Sequence, residues 1–219
     1  GKVSITATTG SIVDADVVTT TNDADQDITA GALRLSAGTA VGESIDHLET
    51  TVVTLSARAG NGSIYLLEAD ALTVDDVGLS VNRVGSDGAT LTTTTDASQS
   101  DIRTTGGNGS IVLRTTAGTI TLNDGTAAAD DTALSANGSG NILIQALGNN
   151  TDITANADIA SGSGNISVLA ARSVVFSGTA DIRTSSTAAA LLGQEEEEAL
   201  TLSRRGCGAA EAVVVEVVA

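Results

Sequence analysis

Three aspartates, Asp23, Asp25 and Asp27, stand at alternate positions of one short segment and have the best metal-binding spacing in the chain. Hard carboxylate oxygens on one side of a loop are the ligands that calcium prefers. The segment is not an EF-hand, because Ile28 stands where the loop glycine is required and Arg34 where the closing acid is required. The pattern predicts either a calcium site of another kind or an ordinary acidic turn. Calcium is the one cofactor that the sequence indicates.

Nucleophilic catalysis has little support in the residue types present. His47 is the single histidine, so a histidine metal cluster is excluded. Ser44 and Asp46 lie next to it in sequence, but a Ser-His-Asp triad is assembled by tertiary geometry and is not indicated by adjacency.

Two carboxylate–guanidinium pairs, Asp101 with Arg103 and Asp181 with Arg183, could serve a polysaccharide lyase or hydrolase. They occupy the same position of a repeated phrase, which a structural role predicts and a single active site does not. Sugar-binding grooves also favour aromatic platforms, and this chain has one tyrosine, one phenylalanine and no tryptophan. We therefore predict no catalytic residue and keep a carbohydrate-active enzyme as the alternative.

The charge of the chain limits its partners. Its 27 acidic and 10 basic residues give a formal net charge of −17. Nucleic acids and anionic membrane surfaces require a basic face, so neither is an expected partner. No apolar run approaches the length of a membrane span, and Cys207, the one cysteine, excludes an intrachain disulfide. This composition fits a solvated extracellular surface, or a surface in high salt or in a medium rich in divalent cations.

The elements that position these residues come from a repeated phrase. Asn-Gly-Ser-Ile at 61–64 returns at 108–111, and a shuffled form, Ser-Gly-Asn-Ile, stands at 139–142 and 163–166. A second phrase, Asp-Ile followed by Arg or Thr, occurs at 27–29, 101–103, 152–154 and 181–183. Self-similarity with a period of roughly 20–50 residues is typical of stacked repeat proteins.

Within each repeat, apolar and small polar residues alternate, which indicates short half-buried strands separated by Gly, Asn, Asp and Ser turns. Equivalent positions are predicted at Ile64, Leu91, Ile111, Ile142 and Ile166, with Ile153 matched to Val174 or Val175 and Ile159 to Ile182. Three strands in about 23–25 residues predict one rung of an all-β parallel β-helix, in which each strand pairs with its copy in the next rung. Polar side chains at equivalent positions are expected to hydrogen-bond along the axis, and 124–131 is expected to be an insertion.

The chain is predicted to divide at residue 190. Residues 1–190 form the β-solenoid repeats, and 191–219 form an acidic linker or cap followed by a valine-rich tail. The stretch around the four glutamates at 195–198 is a candidate helix or a solvated linker. The run at 213–218 is expected to pair with the last rung or to remain disordered, and it is also the expected donor strand in assembly.

The phrases Gly-Ser/Asn-Ile, Gly-Thr-Ile-Thr-Leu-Asn-Asp-Gly at 118–125 and Ala-Asp-Ile at 157–159 and 180–182 resemble the passenger repeats of bacterial surface proteins. The type they resemble is the filamentous-haemagglutinin-like adhesin and related giant repetitive exoproteins. The resemblance covers about residues 1–190. It implies a right-handed parallel β-helix, export to the bacterial cell surface, and a role in adhesion, surface layers or biofilm.

The expected function is a non-enzymatic extracellular shaft, or a self-assembling filament or matrix subunit. The expected partners are further copies stacked end to end, further repeats of a parent protein, or host and matrix glycans. A third alternative is a calcium-stabilised ligand-binding module.

Overall fold

The computed structural model describes residues 1–15, 25–185 and 213–217. Every regular element within these ranges is a strand, as the all-β prediction requires. No helix in these ranges is long and apolar enough to cross a membrane. In chain order the strands are β1 (Lys2–Ala7), β2 (Ile28–Ala37), β3 (Leu48–Ala59), β4 (Ile64–Glu68), β5 (Leu72–Val74), β6 (Val77–Val84), β7 (Leu91–Gln99), β8 (Ile102–Thr104), β9 (Ile111–Thr115), β10 (Ile120–Leu122), β11 (Thr132–Ala136), β12 (Ile142–Ala146), β13 (Asp152–Ala155), β14 (Asp158–Ser161), β15 (Ile166–Ala170), β16 (Ser173–Phe176), β17 (Ile182–Thr184) and β18 (Val213–Val217).

Sixteen of these strands form one nearly closed sheet in which the pairings are parallel. One side carries β4, β9, β12, β15 and β18, the second carries β5, β10, β13 and β16, and the third carries β8, β11, β14 and β17. The long strand β3 joins the three sides, because its start pairs with β4, its middle with β5 and its end with β8. This arrangement is compatible with a parallel β-helix.

The predicted strand register is confirmed on all three sides. Ile111, Ile142 and Ile166 stand opposite one another in successive strands, and each is at most 2% exposed. Ile153 pairs with Val174, and Ile159 with Ile182. The predicted insertion at 124–131 lies between the end of β10 and the start of β11.

The prediction for Leu91 is wrong. Leu91 begins β7, which pairs antiparallel with β6 in a separate hairpin, and its side chain is 61% exposed. The hairpin is inserted between β5 and β8, at the corner where the later connection from β13 to β14 is a turn of two residues. A period of two describes a solvent-exposed hairpin strand as well as a strand of the main sheet, so the local pattern does not distinguish them.

The interior is made of aliphatic side chains and alanine, as the near absence of aromatics predicts. Strands such as β9 and β12 alternate between buried and half-buried positions, and the buried set forms one continuous cluster. Fully burying one such aliphatic side chain stabilises the fold by about 1.5–3 kcal/mol.

The glycines of the repeated phrase are required by close stacking of the backbone at the corners. A Cβ added at Gly109 would lie 2.1 Å from the carbonyl oxygen of Gly62, and one at Gly140 would lie 2.1 Å from that of Gly109. Gly164 stands in the same relation to Gly140. A side chain at any of these positions would force neighbouring turns apart, and the phrase therefore keeps its glycine while its other residues vary.

The next described strand after β17 on the third side is β18, which lies on the first side. Strand β18 pairs in parallel with β15 over five residues, from Ile166 opposite Val213 to Ala170 opposite Val217. The valine run therefore takes the strand alternative of the predicted tail. The candidate helix and the four glutamates at 195–198 lie outside the described residues.

Candidate functional site

The predicted calcium ligands are only partly within the described residues. Asp23 lies outside them, whereas Asp25 and Asp27 are described and exposed. In the described part of the chain, the carboxylates of Asp14 and Glu49 lie close to that of Asp27. One oxygen of each of the three residues lies within 4.8 Å of the others. The structure thus brings together one predicted ligand and two acids that were not predicted.

The three acids come from three passes of the chain. Asp14 follows the bridge between Ile12 and Val41, Asp27 precedes β2, and Glu49 lies in β3 with 1% of its surface exposed. The amide of Glu49 donates a hydrogen bond to Asp27 Oδ2 at 2.8 Å. Glu49 follows Asp27 by 22 residues, and Ile28 is separated by the same 22 residues from its strand partner Thr50. The spacing of these two strands was the signal that could have indicated Glu49 as a neighbour of Asp27.

Three carboxylate oxygens at this separation suit a hard cation such as calcium, whose oxygen ligands lie about 2.3–2.6 Å from the ion. Clustered acidic side chains also occur in proteins without an ion, so the cluster itself does not identify calcium. The cluster is the place where the calcium prediction has to be tested.

The loop that carries the single histidine is packed onto the neighbouring strand. His47 is 7% exposed and stacks on Tyr65, with ring centroids 5.7 Å apart and an interplanar angle of 23°. Burial, with a smaller contribution from the positive charge of Arg114, lowers the pKa of His47 to about 4. Ser44 in the same loop is exposed, while Asp46 is buried. The imidazole is therefore neutral at physiological pH and forms part of the packing between this loop and β4.

The two Asp–Arg pairs do not meet in one site. Arg103 stands opposite Ser135, Ser135 opposite Ala160, and Ala160 opposite Arg183, so the two arginines are three strand spacings apart, about 14 Å. Each guanidinium forms an ion pair with an acid outside its own pair: Arg103 lies 3.8 Å from Asp130, and Arg183 pairs with the buried Asp158.

A shallow groove of about 410 Å³ lies on the third side near its corner with the first. Arg103 lines it together with small residues, Ser135, Ala160 and Gly162, and with the polar residues Thr105 and Asn137. The groove has polar groups for binding a hydroxyl-rich ligand but no aromatic platform among its lining residues.

Sequence reasoning missed Glu68 altogether and named Asp101 without predicting that it is buried. Glu68, fully buried at the end of β4, accepts hydrogen bonds from the Thr50 hydroxyl at 2.7 Å and the Val52 amide at 3.0 Å. Burial is the largest cause that raises the pKa of Glu68 to about 7, although these hydrogen bonds act in the opposite direction. Asp101, 2% exposed before β8, likewise has a pKa raised to about 7, mainly by burial.

Polar ladders run along the axis at the corners, as predicted. The Ser63 hydroxyl accepts from the Ser110 amide, the Ser110 hydroxyl from the Asn141 amide, and Asn141 Oδ1 from the Asn165 amide, at 2.8–3.0 Å. These four residues follow the glycine of each repeated phrase. Ser and Asn interchange there because each provides an oxygen that accepts the amide of the next turn.

Comparison with known proteins adds no identity: no family model, no curated protein and no solved structure matches this chain.

Proposed function

We propose that this protein is a non-enzymatic extracellular structural or adhesive protein of the bacterial surface. In this proposal the parallel sheet is a right-handed β-helix of about 23–25 residues per rung. It serves as the shaft of an adhesin or as the subunit of a filament or matrix.

The observation that best supports this function is the continuous strand register on the first side of the sheet. Ile64, Ile111, Ile142 and Ile166 occupy one position in four successive strands, although the loops between them differ in length. Such a ladder gives length and mechanical continuity, which a shaft requires. Stacked repeats of this kind bury a core that no single repeat buries alone.

The distribution of polar chemistry also supports a structural role. The asparagine and serine ladder ties successive corners together, and the Asp–Arg pairs form separate ion pairs on different strands. The ladder residues and these two arginines therefore act where the repeat places them, on separate strands.

Assembly of the shaft is proposed to use its sheet edges. Within the described residues, β1 has a strand partner only in β2, and β18 only in β15. Unpaired edges are templates for further strands. The partners proposed for them are a second copy stacked end to end or further repeats of a parent protein, with host or matrix glycans as ligands of the sides.

Electron microscopy of negatively stained protein, together with light scattering across a concentration series, tests this function. The proposal expects particles that lengthen end to end. A chain lacking 207–219, which loses β18 as the strand offered to another copy, is expected to lose end-to-end assembly while remaining β-rich by circular dichroism. A strictly monomeric, globular particle at high concentration contradicts the filament version and leaves the shaft of a larger adhesin.

A carbohydrate-active enzyme is the second candidate, and the groove beside Arg103 is the observation that favours it. Reducing-end assays on a panel of acidic and neutral polysaccharides test it, with Arg103→Gln as the matched variant. Cleavage that depends on Arg103 would replace the structural proposal with the enzymatic one.

A further inference from the structure

The insertion between β10 and β11, residues 123–131, is tied to the base of the β6–β7 hairpin by side chains. We call this segment the strap. The Thr126 amide donates to Asp76 Oδ2 at 2.7 Å, and the Ala127 amide donates to Asp76 Oδ1 at 3.1 Å. The Ala128 amide donates to the Ser100 hydroxyl at 3.2 Å. Since these bonds end on side chains, the position of the strap depends on the residues at the hairpin base.

Two residues of the strap have an unfavourable backbone conformation. Ala129 has a φ of 47° and Asp131 a φ of 61°. Residues with a Cβ atom adopt this left-handed region at a cost in free energy. The observed position of the strap is therefore maintained by its hydrogen bonds to the hairpin base, and loss of these bonds would favour another position.

Asp101 is the buried acid at this corner. It is 2% exposed, its φ is 68°, and its Oδ1 atom is buried without a hydrogen-bond partner among the described residues. The charged groups that act on it are Asp124 and Asp130 from the strap and Arg58 from β3, and Ser100 donates a hydrogen bond to the carboxyl group. The strap thus holds two acids close to a third that is out of contact with water.

Burial raises the pKa of Asp101 to about 7; the negative charges of Asp130 and Asp124 raise it further, whereas Ser100 and Arg58 oppose the increase. Protonated, Asp101 is a neutral group that remains buried beside the strap acids at little electrostatic cost. Ionised, it is a buried carboxylate facing two others, which is unfavourable unless water or a counter-charge reaches it.

We propose that Asp101 is a proton-controlled latch: in its neutral form the strap lies closed against the hairpin base, and its ionisation opens the strap. Opening hydrates the carboxylate and separates it from Asp124 and Asp130. Because the open form releases a proton that the closed form retains at pH values below the raised pKa of Asp101, the opening constant rises by up to about tenfold per pH unit as the pH approaches 7. Above about pH 7 it levels off, because Asp101 is ionised in both forms.

Opening has a consequence for the groove. Asp130, on the strap, is the ion-pair partner of Arg103, which lines the groove and whose side chain is 43% exposed. When the strap opens, Asp130 leaves this guanidinium and its hydrogen-bond donors become free for a ligand. The latch therefore couples the ionisation of a buried acid to the charge presented by the groove.

Hydrogen–deuterium exchange from pH 5.5 to 9 tests the latch in the full chain. The readout is the protection factor of the Thr126, Ala127 and Ala128 amides, which corrects for the pH dependence of intrinsic exchange. We expect protection that falls by up to about tenfold per unit from pH 5.5 to about 7 and stays constant above it. In Asp101→Asn, which keeps a neutral group and tolerates the left-handed backbone, the protection is expected to stay constant.

Two neighbours should move the transition in opposite directions. Asp130→Asn removes a negative charge that raises the pKa of Asp101, so the protection should level off at a lower pH. Arg58→Gln removes a positive charge that lowers this pKa, so the protection should level off at a higher pH. Asp181→Asn, at the equivalent repeat position before β17, is the matched control and should behave as the wild type. Protection that is independent of pH in the wild type, or that falls equally in Asp101→Asn, overturns the proposal.

Discussion

Gly140 lies directly over Gly109, so close that a Cβ on Gly140 would stand 2.1 Å from the Gly109 carbonyl oxygen. This contact joins two copies of the same repeated phrase, one turn apart. It determines which position of the phrase remains glycine, and it makes the corner a sensitive place to test the stacking.

Replacing Gly140 with alanine should force the two turns apart. Because the atom that a Cβ would meet belongs to backbone, relief requires a shift of the chain, and we expect a loss of between about 1 and 3 kcal/mol in the free energy of unfolding. Urea denaturation measures it. Gly10→Ala is the matched control, since nothing lies within 4 Å of a Cβ there; equal losses in the two variants would mean that the close stacking is absent.

Ile142→Asp should destabilise the protein far more than Thr121→Asp. Ile142 is 2% exposed in the core, so the aspartate would be a buried, unpaired charge and should cost several kcal/mol. Thr121 is the half-buried residue between two buried neighbours of β10, and an aspartate there keeps contact with water. Thermal and urea unfolding of both variants measure the difference. Comparable damage would show that the inside–outside register is wrong.

The stability should depend on pH through Glu68. Its pKa is 4.5 in the unfolded chain and about 7 in the fold, so the folded state binds more protons between these values. The contribution of Glu68 is therefore fully present below about pH 4.5 and is lost as the pH rises to about 7. His47, whose lowered pKa acts in the opposite direction below 6.5, contributes equally to wild type and variant.

The measurement is the difference in free energy of unfolding between the wild type and Glu68→Gln at several pH values. We expect the advantage of the wild type to shrink from pH 4.5 to 7 and then to level off. Glu43→Gln, which makes the same change at an exposed position, is the matched control. If the difference in free energy of unfolding between the wild type and Glu68→Gln does not change with pH, the raised pKa of Glu68 is contradicted.

Calcium binding remains a prediction with two distinguishable sites. If calcium is bound, a chelator should lower the melting temperature of the wild type. The variant combining Asp14→Asn, Asp27→Asn and Glu49→Gln should lose this response if the ion lies in the structural cluster. The variant combining Asp23→Asn and Asp25→Asn, which retains that cluster, should lose it only if the ion lies in the sequence segment. Melting curves unaffected by chelator would contradict calcium binding at either set of residues.

Local sequence was sufficient for the strands and their inward-facing residues. The alternation around Ile142 and Ile166 and the distance between the two phrases are enough to predict that these residues pair in one register. They do so because hydrophobic burial of one face of a strand depends on local alternation, and stacking requires only that the alternation recur. The Ser and Asn ladder follows from the same recurrence.

Tertiary structure alone decided what the insertions do. Leu91 shares the local pattern of a rung strand, yet the long-range pairing of β6 with β7 places it in an exposed hairpin. The approach of Asp14 and Glu49 to Asp27 depends on three passes of the chain lying side by side. The raised pKa values of Glu68 and Asp101 depend on how completely neighbouring turns exclude water from them. Burial and electrostatics of this kind are sums over distant segments, so they arise only once the chain has folded.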